Sequence, residues 1–161
     1  MSSQPPAFRP GEVPTDARIA IAAARFNAAI VDELIAGFRR RLVELKIPLD
    51  RIELHRVPGA FELPLAAKLL ADTQRFSAVI CLGAVIRGDT PHFEYVAGEC
   101  ARGIQAVALA TSVPIIFGVL TTNTDEQARE RIGGSHGHAG ERAAESALEM
   151  IALKRKLSVQ P

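Results

Sequence analysis

The sequence predicts an α/β protein: one domain built as a three-layer α/β/α sandwich around a four-stranded parallel sheet. Three observations carry that prediction. Short apolar runs alternate with longer amphipathic stretches along the chain, the pattern of strand–helix units that pair in parallel. The runs at 18–24 and 78–85 are nearly all apolar rather than alternating, as expected of strands covered on both faces. The 161 residues, 48% apolar and 23% charged, amount to one globular domain and rule out a wholly disordered chain. Right-handed crossovers leave few strand orders, and a flavodoxin-like order is the simplest.

Each element has a local reason. Residues 1–17 contain Pro5, Pro6, Pro10, Gly11 and Pro14. They cannot form a helix and have little to bury, so they read either as a frayed terminus or as an extended arm. Such an arm could add an extra strand or pair with a neighbouring subunit. The domain proper, 18–161, opens with the strand at 18–24. Asn27 is placed to cap the helix that follows, whose stripe is Ile30, Leu34, Phe38, Leu42 and Leu45. Pro48 ends it. A strand at 51–57 and the turn at Pro58-Gly59 lead to a helix over 61–73, with Pro64 tolerated in its first turn. The third strand is 78–85, and 86–91 forms a loop. A helix over 93–110 carries Phe93, Val96, Cys100, Ile104 and Val107 on one face. The fourth strand is 113–120. A short helix at 125–131, a Gly/His loop at 132–138 and a last helix at 140–157 complete the chain. Lys154, Arg155 and Lys156 suit the negative end of that last helix.

Several function classes are excluded. The formal net charge is +1, which gives no support for nucleic-acid or membrane-surface binding. No apolar run is long enough to span a membrane, and the first residues lack the pattern of a signal peptide. Cys81 and Cys100 lie in apolar surroundings and read as reduced core thiols of a cytoplasmic protein.

In an open α/β sheet the ligand sits beyond the carboxyl ends of the strands. The residues there are Arg25-Phe26-Asn27, Val57-Pro58-Gly59-Ala60-Phe61-Glu62, Ile86-Arg87-Gly88-Asp89-Thr90-Pro91-His92 and Thr121-Thr122-Asn123. Phe26 is either core or a stacking surface for a planar ring. Glu62 either complements a helix dipole or serves as a functional carboxylate. The turn at Gly88-Asp89-Thr90 either caps an ordinary helix, with Asp89 or Thr90 as the cap, or offers its N–H groups to an anion. His92 at that helix start is either a surface residue or a proton shuttle. The loop has no Lys-Ser or Lys-Thr pair of a nucleotide-binding loop, and no Gly-x-Gly follows the first strand. His136 and His138 lack a third ligand at matching spacing, so no metal site is expected. A flavin-binding electron carrier would need a hydroxyl-rich phosphate loop after the first strand, where Arg25-Phe26-Asn27 stands instead.

At these positions the sequence resembles the lumazine synthase family. The stretches that carry the resemblance are Ala24-Arg25-Phe26-Asn27, Val57-Pro58-Gly59-Ala60-Phe61-Glu62-Leu63-Pro64, Leu82-Gly83-Ala84-Val85-Ile86-Arg87-Gly88-Asp89-Thr90-Pro91-His92-Phe93-Glu94-Tyr95-Val96 and Phe117-Gly118-Val119-Leu120-Thr121-Thr122. Glu126-Gln127-Ala128 and Glu130-Arg131 match as well. The resemblance implies a cofactor-independent transferase of riboflavin biosynthesis. Its substrates would be 5-amino-6-ribitylaminouracil and 3,4-dihydroxy-2-butanone 4-phosphate. It further implies that Phe26 stacks on the pyrimidine, with Asn27 beside it. Ala60 and Glu62 would hold the ribityl chain, and Gly59 and Phe61 beside them would also bind substrate. Gly88, Asp89 and Thr90 would form the phosphate side, Val85, Ile86 and Arg87 before them would also bind substrate, and His92 would move protons. Phe117 and Arg131 would come from the adjacent subunit of a homopentamer, which some members close into an icosahedral capsid. One position departs from the family's pattern. Its last loop usually reads Gly-Asn-Lys-Gly, and here it reads Gly137-His138-Ala139-Gly140. Ala139 therefore removes a cation that His136 or His138 would supply only when protonated. A shell that binds ligand but turns over poorly is the competing reading, and Ala139 alone speaks for it.

Overall fold

A computed structural model describes residues 6–9 and 11–158. Its central sheet holds β1 (Ile19–Ala24), β2 (Ile52–Val57), β3 (Ala78–Ile86) and β4 (Ile115–Thr122). The strands are all parallel, in the order β2-β1-β3-β4. This is the flavodoxin-like order expected from the alternation. Helices α1 (Ala28–Glu44), α2 (Leu63–Asp72), α3 (His92–Thr111), α4 (Asp125–Arg129) and α5 (Ala139–Ser158) connect and cover it. Among the described residues, no helix is long and apolar enough to cross a membrane.

The period-2 alternation of the strands divides the core into two layers. Ile19, Ile21 and Ala23 of β1 face Leu34 and Phe38 of α1 and Leu148 and Ile151 of α5. Ala20 and Ala22 face Leu63 and Ala67 of α2 and Cys100 and Ile104 of α3. Both faces of β1 and β3 are therefore covered, which is why the two strands read as continuous apolar runs. The α1–α5 crossing is tight. A Cβ added to Gly140 would stand 2.1 Å from the Leu34 carbonyl oxygen, so only glycine permits that approach.

Three of the differences from expectation have a visible reason. β4 begins after Pro114, which lacks an N–H, and runs on to Thr122, paired with Ile86. Apolarity stops at Leu120, but the β-branched Thr121 and Thr122 continue the ladder. The second helix opens with a tight 3-10 turn, Ala60–Glu62, before α2. The Gly/His loop at 132–138 contains an antiparallel hairpin, β5 (Ile132–Gly134) and β6 (Gly137–His138). Gly133, at the irregularity in β5, and Gly137, just after the turn, carry positive φ values.

The arm has more to bury than its prolines suggest. Phe8 and Val13 pack against the α1/α5 layer. The Arg9 N–H donates to the Glu149 carboxylate at 2.5 Å. Arg155 donates to Asp16 at 2.7 Å and holds that carboxyl below its ordinary pKa. Among the described residues no strand precedes Ile19. The arm reading at 1–5 and 10 lies outside them.

Candidate active site

The sheet places a crevice at its centre. The chain leaves β1 towards β2 on one side, and β3 then pairs on the other, so the strand order reverses between β1 and β3. Their ladder ends at Ala23 and Leu82. Beyond it the end of β1 is drawn towards β2: the Arg25 N–H donates to the Val57 carbonyl at 2.8 Å, and the Phe26 N–H to that of Pro58 at 3.1 Å.

Asn27 spans the resulting gap. Its Nδ2 donates to the Ala84 carbonyl at 2.8 Å. The residue sits in the left-handed region, at φ 56° and ψ 42°, and makes no side-chain cap bond to α1. The expectation that Asn27 caps the helix is therefore corrected: its amide is spent on tying β1 to β3. Asparagine suits this because it tolerates the left-handed conformation better than other residues with a Cβ.

A cavity of about 590 Å³ opens there. Phe26 and Asn27 form one wall, and Gly59, Ala60, Phe61 and Glu62 a second. Ala84, Val85 and Ile86 at the end of β3 also line it, as do Gly88, Thr90 and His92. Phe26 is 72% exposed, so its ring is a free stacking face rather than core. The Glu62 carboxylate accepts the Gly59 N–H at 2.9 Å, which closes the 3-10 turn. It makes no other hydrogen bond among the described residues.

Neither Asp89 nor Thr90 caps α3, contrary to the simpler expectation. Pro91 occupies the N-cap position and no side chain caps the helix. The opening N–H groups of α3 thus lack a side-chain partner, and the helix dipole adds partial positive charge there. An anion is the natural occupant.

Four of the predicted site residues do not line this cavity. Arg87 braces its rim from outside. Its Nε donates to Asn123 at 2.9 Å and a terminal nitrogen to Glu94 at 2.6 Å, with the guanidinium 4.3 Å from the centre of the Phe93 ring. Asp89 is exposed beyond the lining. Phe117 lies half exposed on β4. Arg131 follows α4 and donates to the Gln127 carbonyl at 2.8 Å. A single chain brings neither Phe117 nor Arg131 to the cavity.

The histidine reading also changes. His138 is buried against α1, and burial pushes its imidazole below its ordinary pKa, so it supplies no cation at neutral pH. His136 is exposed, 3.4 Å from the Glu130 carboxylate, and does not line the cavity. Burial pushes both thiols up, that of Cys100 to about 11, so neither is a ready nucleophile.

Sequence reasoning missed Ala84, Phe93, Tyr95 and Val96, which also line the cavity. A signal for two of them existed. Tyr95 and Val96 lie three and four residues after His92, on the same helical face. Taken together, the site offers an aromatic face for a planar ring, a carboxylate for hydroxyls, an imidazole for proton transfer and a helix start for an anion.

The chain is similar to known proteins over most of its length. The family model described as 6,7-dimethyl-8-ribityllumazine synthase matches residues 16–155. A 6,7-dimethyl-8-ribityllumazine synthase of Halorhodospira halophila is 53% identical over 142 residues, 88% of this chain and 91% of the relative. That of Syntrophus aciditrophicus is 54% identical over 140 residues, 87% and 91% of the two chains. That of Xanthomonas euvesicatoria is 49% identical over 144 residues, 89% and 94%.

Proposed function

The chain belongs to the 6,7-dimethyl-8-ribityllumazine synthase family, and on that premise we propose that it is an enzyme of riboflavin biosynthesis. It joins 5-amino-6-ribitylaminouracil to 3,4-dihydroxy-2-butanone 4-phosphate, giving 6,7-dimethyl-8-ribityllumazine, inorganic phosphate and water. The observation that supports this best is the cavity at the β1/β3 reversal. There Phe26, Glu62, His92 and the uncapped start of α3 border one space.

The chemistry divides into steps these groups can serve. The 5-amino group attacks the ketone and water leaves, forming an imine. Loss of phosphate and a proton gives an enol, which becomes a ketone. The ribityl-bearing nitrogen then closes the ring and a second water leaves. Every step is a condensation, an elimination or a proton transfer, so no redox cofactor takes part. The enzyme's main contribution is holding two reactants in register, which can be worth several kcal/mol of barrier. The exposed Phe26 ring stacks on the pyrimidine. Glu62 accepts hydrogen bonds from ribityl hydroxyls. The loop at 88–90 and the first amides of α3 take the phosphate. His92 carries protons between the amine, the carbonyl carbon's neighbours and water.

The site is completed by a second subunit of a homopentamer. Phe117 and Arg131 lie away from their own chain's cavity, and an Arg fork suits phosphate. Leu65 and Leu69, one turn apart on α2, are 64% and 60% exposed, which favours a covering partner on that layer.

Spectroscopic measurement of lumazine formation, with the uncatalysed rate subtracted, tests this reading. We expect acceleration that drops steeply in Arg131→Ala and less in His92→Ala. No acceleration by assembled protein refutes it and favours the shell-forming alternative.

A further inference from the structure

One buried titratable side chain plays no part in the reaction above. His138 ends β6 and is only 7% exposed. Its ring lies on α1 at Gly37, where a Cβ would stand 2.0 Å from Cε1. Glycine at 37 is thus what makes room for the imidazole. Its Nδ1 accepts the Gly140 N–H at 3.2 Å. An accepting Nδ1 places the proton of the neutral ring on Nε2. A doubly protonated ring would turn an N–H towards the Gly140 N–H, donor against donor, and would bury a cation.

Charges of both signs surround the ring. Glu33 and Arg40 face it from α1, and Glu141 and Arg142 from α5. Arg40 and Glu141 are themselves paired at 2.6 Å. β5, which reads Ile132-Gly133-Gly134, brings no titratable group. Burial, the largest influence, therefore sets the direction and favours the neutral ring.

The ring is mechanically linked to Arg131. Ile132 pairs with His138 across the hairpin. The Ala139 N–H donates to the Arg131 carbonyl at 2.7 Å, and the His136 N–H to the Glu130 carbonyl at 3.0 Å. Arg142 donates to the His136 carbonyl at 3.0 Å. Whatever fixes His138 against α1 also fixes the backbone from which Arg131 projects.

We propose that His138 is a positioning residue for Arg131: as a neutral imidazole it pins the hairpin to α1, and on protonation it releases the hairpin and loosens the grip on the phosphate-bearing substrate. This rests on the reading of Arg131 as a phosphate-binding group of the neighbouring site.

The test compares the full-length wild type with His138→Asn, which keeps an acceptor near the Gly140 N–H and has no proton to gain. KM for the phosphate-bearing ketone and kcat are measured from about pH 7.5 to about pH 5, alongside hydrogen exchange of the Ala139 and Gly140 amides. Ionisation of the substrate phosphate is common to both proteins and cancels. On acidification, wild-type KM should rise about ten-fold more than that of the variant, with kcat profiles nearly parallel. The two amides should lose protection only in the wild type. Exchange that is equally protected in both proteins at every pH overturns the proposal. So do parallel KM profiles in a protein whose Arg131→Ala variant does raise KM. Should Arg131→Ala leave KM unchanged, the phosphate reading itself fails, and exchange alone decides whether His138 releases the hairpin.

Discussion

Asn27 should be a stability residue as much as a binding one, and its two contributions can be separated by substitution. Its side chain supplies one hydrogen bond, Nδ2 to the Ala84 carbonyl at 2.8 Å. Its backbone is left-handed, at φ 56° and ψ 42°. Losing a partly buried hydrogen bond costs about 1 kcal/mol. Forcing a less tolerant residue with a Cβ into the left-handed region costs roughly another 1 kcal/mol. Asn27→Ala suffers both losses, about 2 kcal/mol in all. Asn27→Gly gives up the bond, while its ease in the left-handed region offsets the freedom it gains when unfolded, so about 1 kcal/mol is lost. Urea unfolding at one fixed protein concentration measures both, so that any association acts equally on each. The expected order is wild type, then glycine, then alanine. Alanine as stable as glycine would refute the left-handed assignment at 27. Losses under about 0.5 kcal/mol in both would mean that the bond across the crevice contributes nothing measurable.

Three further outcomes follow from the same geometry. Gly140→Ala would drive a Cβ to 2.1 Å from the Leu34 carbonyl oxygen, and opening the α1–α5 crossing to admit it should cost about 3 kcal/mol in urea unfolding; a loss near zero would show that the helices are not so closely set. Because the folded pKa of His138 lies below its unfolded value, the unfolded chain binds the proton more readily. Its contribution to stability should be complete above about pH 6.5 and decline as pH falls through the lowered folded value, and a thermal midpoint with the same acid dependence in His138→Asn would contradict this. Ala139→Lys, which restores the cation usual in the family's last loop, should lower KM for the phosphate-bearing substrate, and unchanged constants across pH would remove any role for this departure.

Much of the fold was legible because one physical cause dominates it. β1 and β3 are buried on both faces, so Ile19 to Ala24 and Ala78 to Ile86 announce themselves as apolar runs. The strand order then places the crevice at their carboxyl ends, which is why Phe26, Glu62 and His92 could be picked out together. The misreadings arose where local chemistry has two uses. Asparagine at a helix start usually caps, but at 27 a contact 57 residues away takes its amide. Thr90 and Asp89 are good caps by composition, yet Pro91 holds the N-cap position. The hairpin at 132–138 is encoded by positive-φ glycines, and glycine alone does not distinguish a hairpin from a loop. His138 was invisible as a core residue because its cavity exists only through Gly37, a hundred residues earlier in the chain. Arg131 lies away from its own chain's cavity, and no local pattern in the sequence announces that.

The central claim is that the cavity of one subunit works only with Arg131 of the next, and a mixing measurement tests it most directly. Arg131→Ala keeps an intact cavity but gives its neighbour no arginine. A Glu62→Ala/His92→Ala double variant has a damaged cavity but keeps Arg131. Each assembled alone should form lumazine slowly. Co-assembled in equal amounts, they should recover about a quarter of wild-type activity per subunit, since half of the cavities are intact and half of their neighbours carry the arginine. Activity no greater than the sum of the two separate proteins, in particles shown to contain both chains, would contradict the shared site.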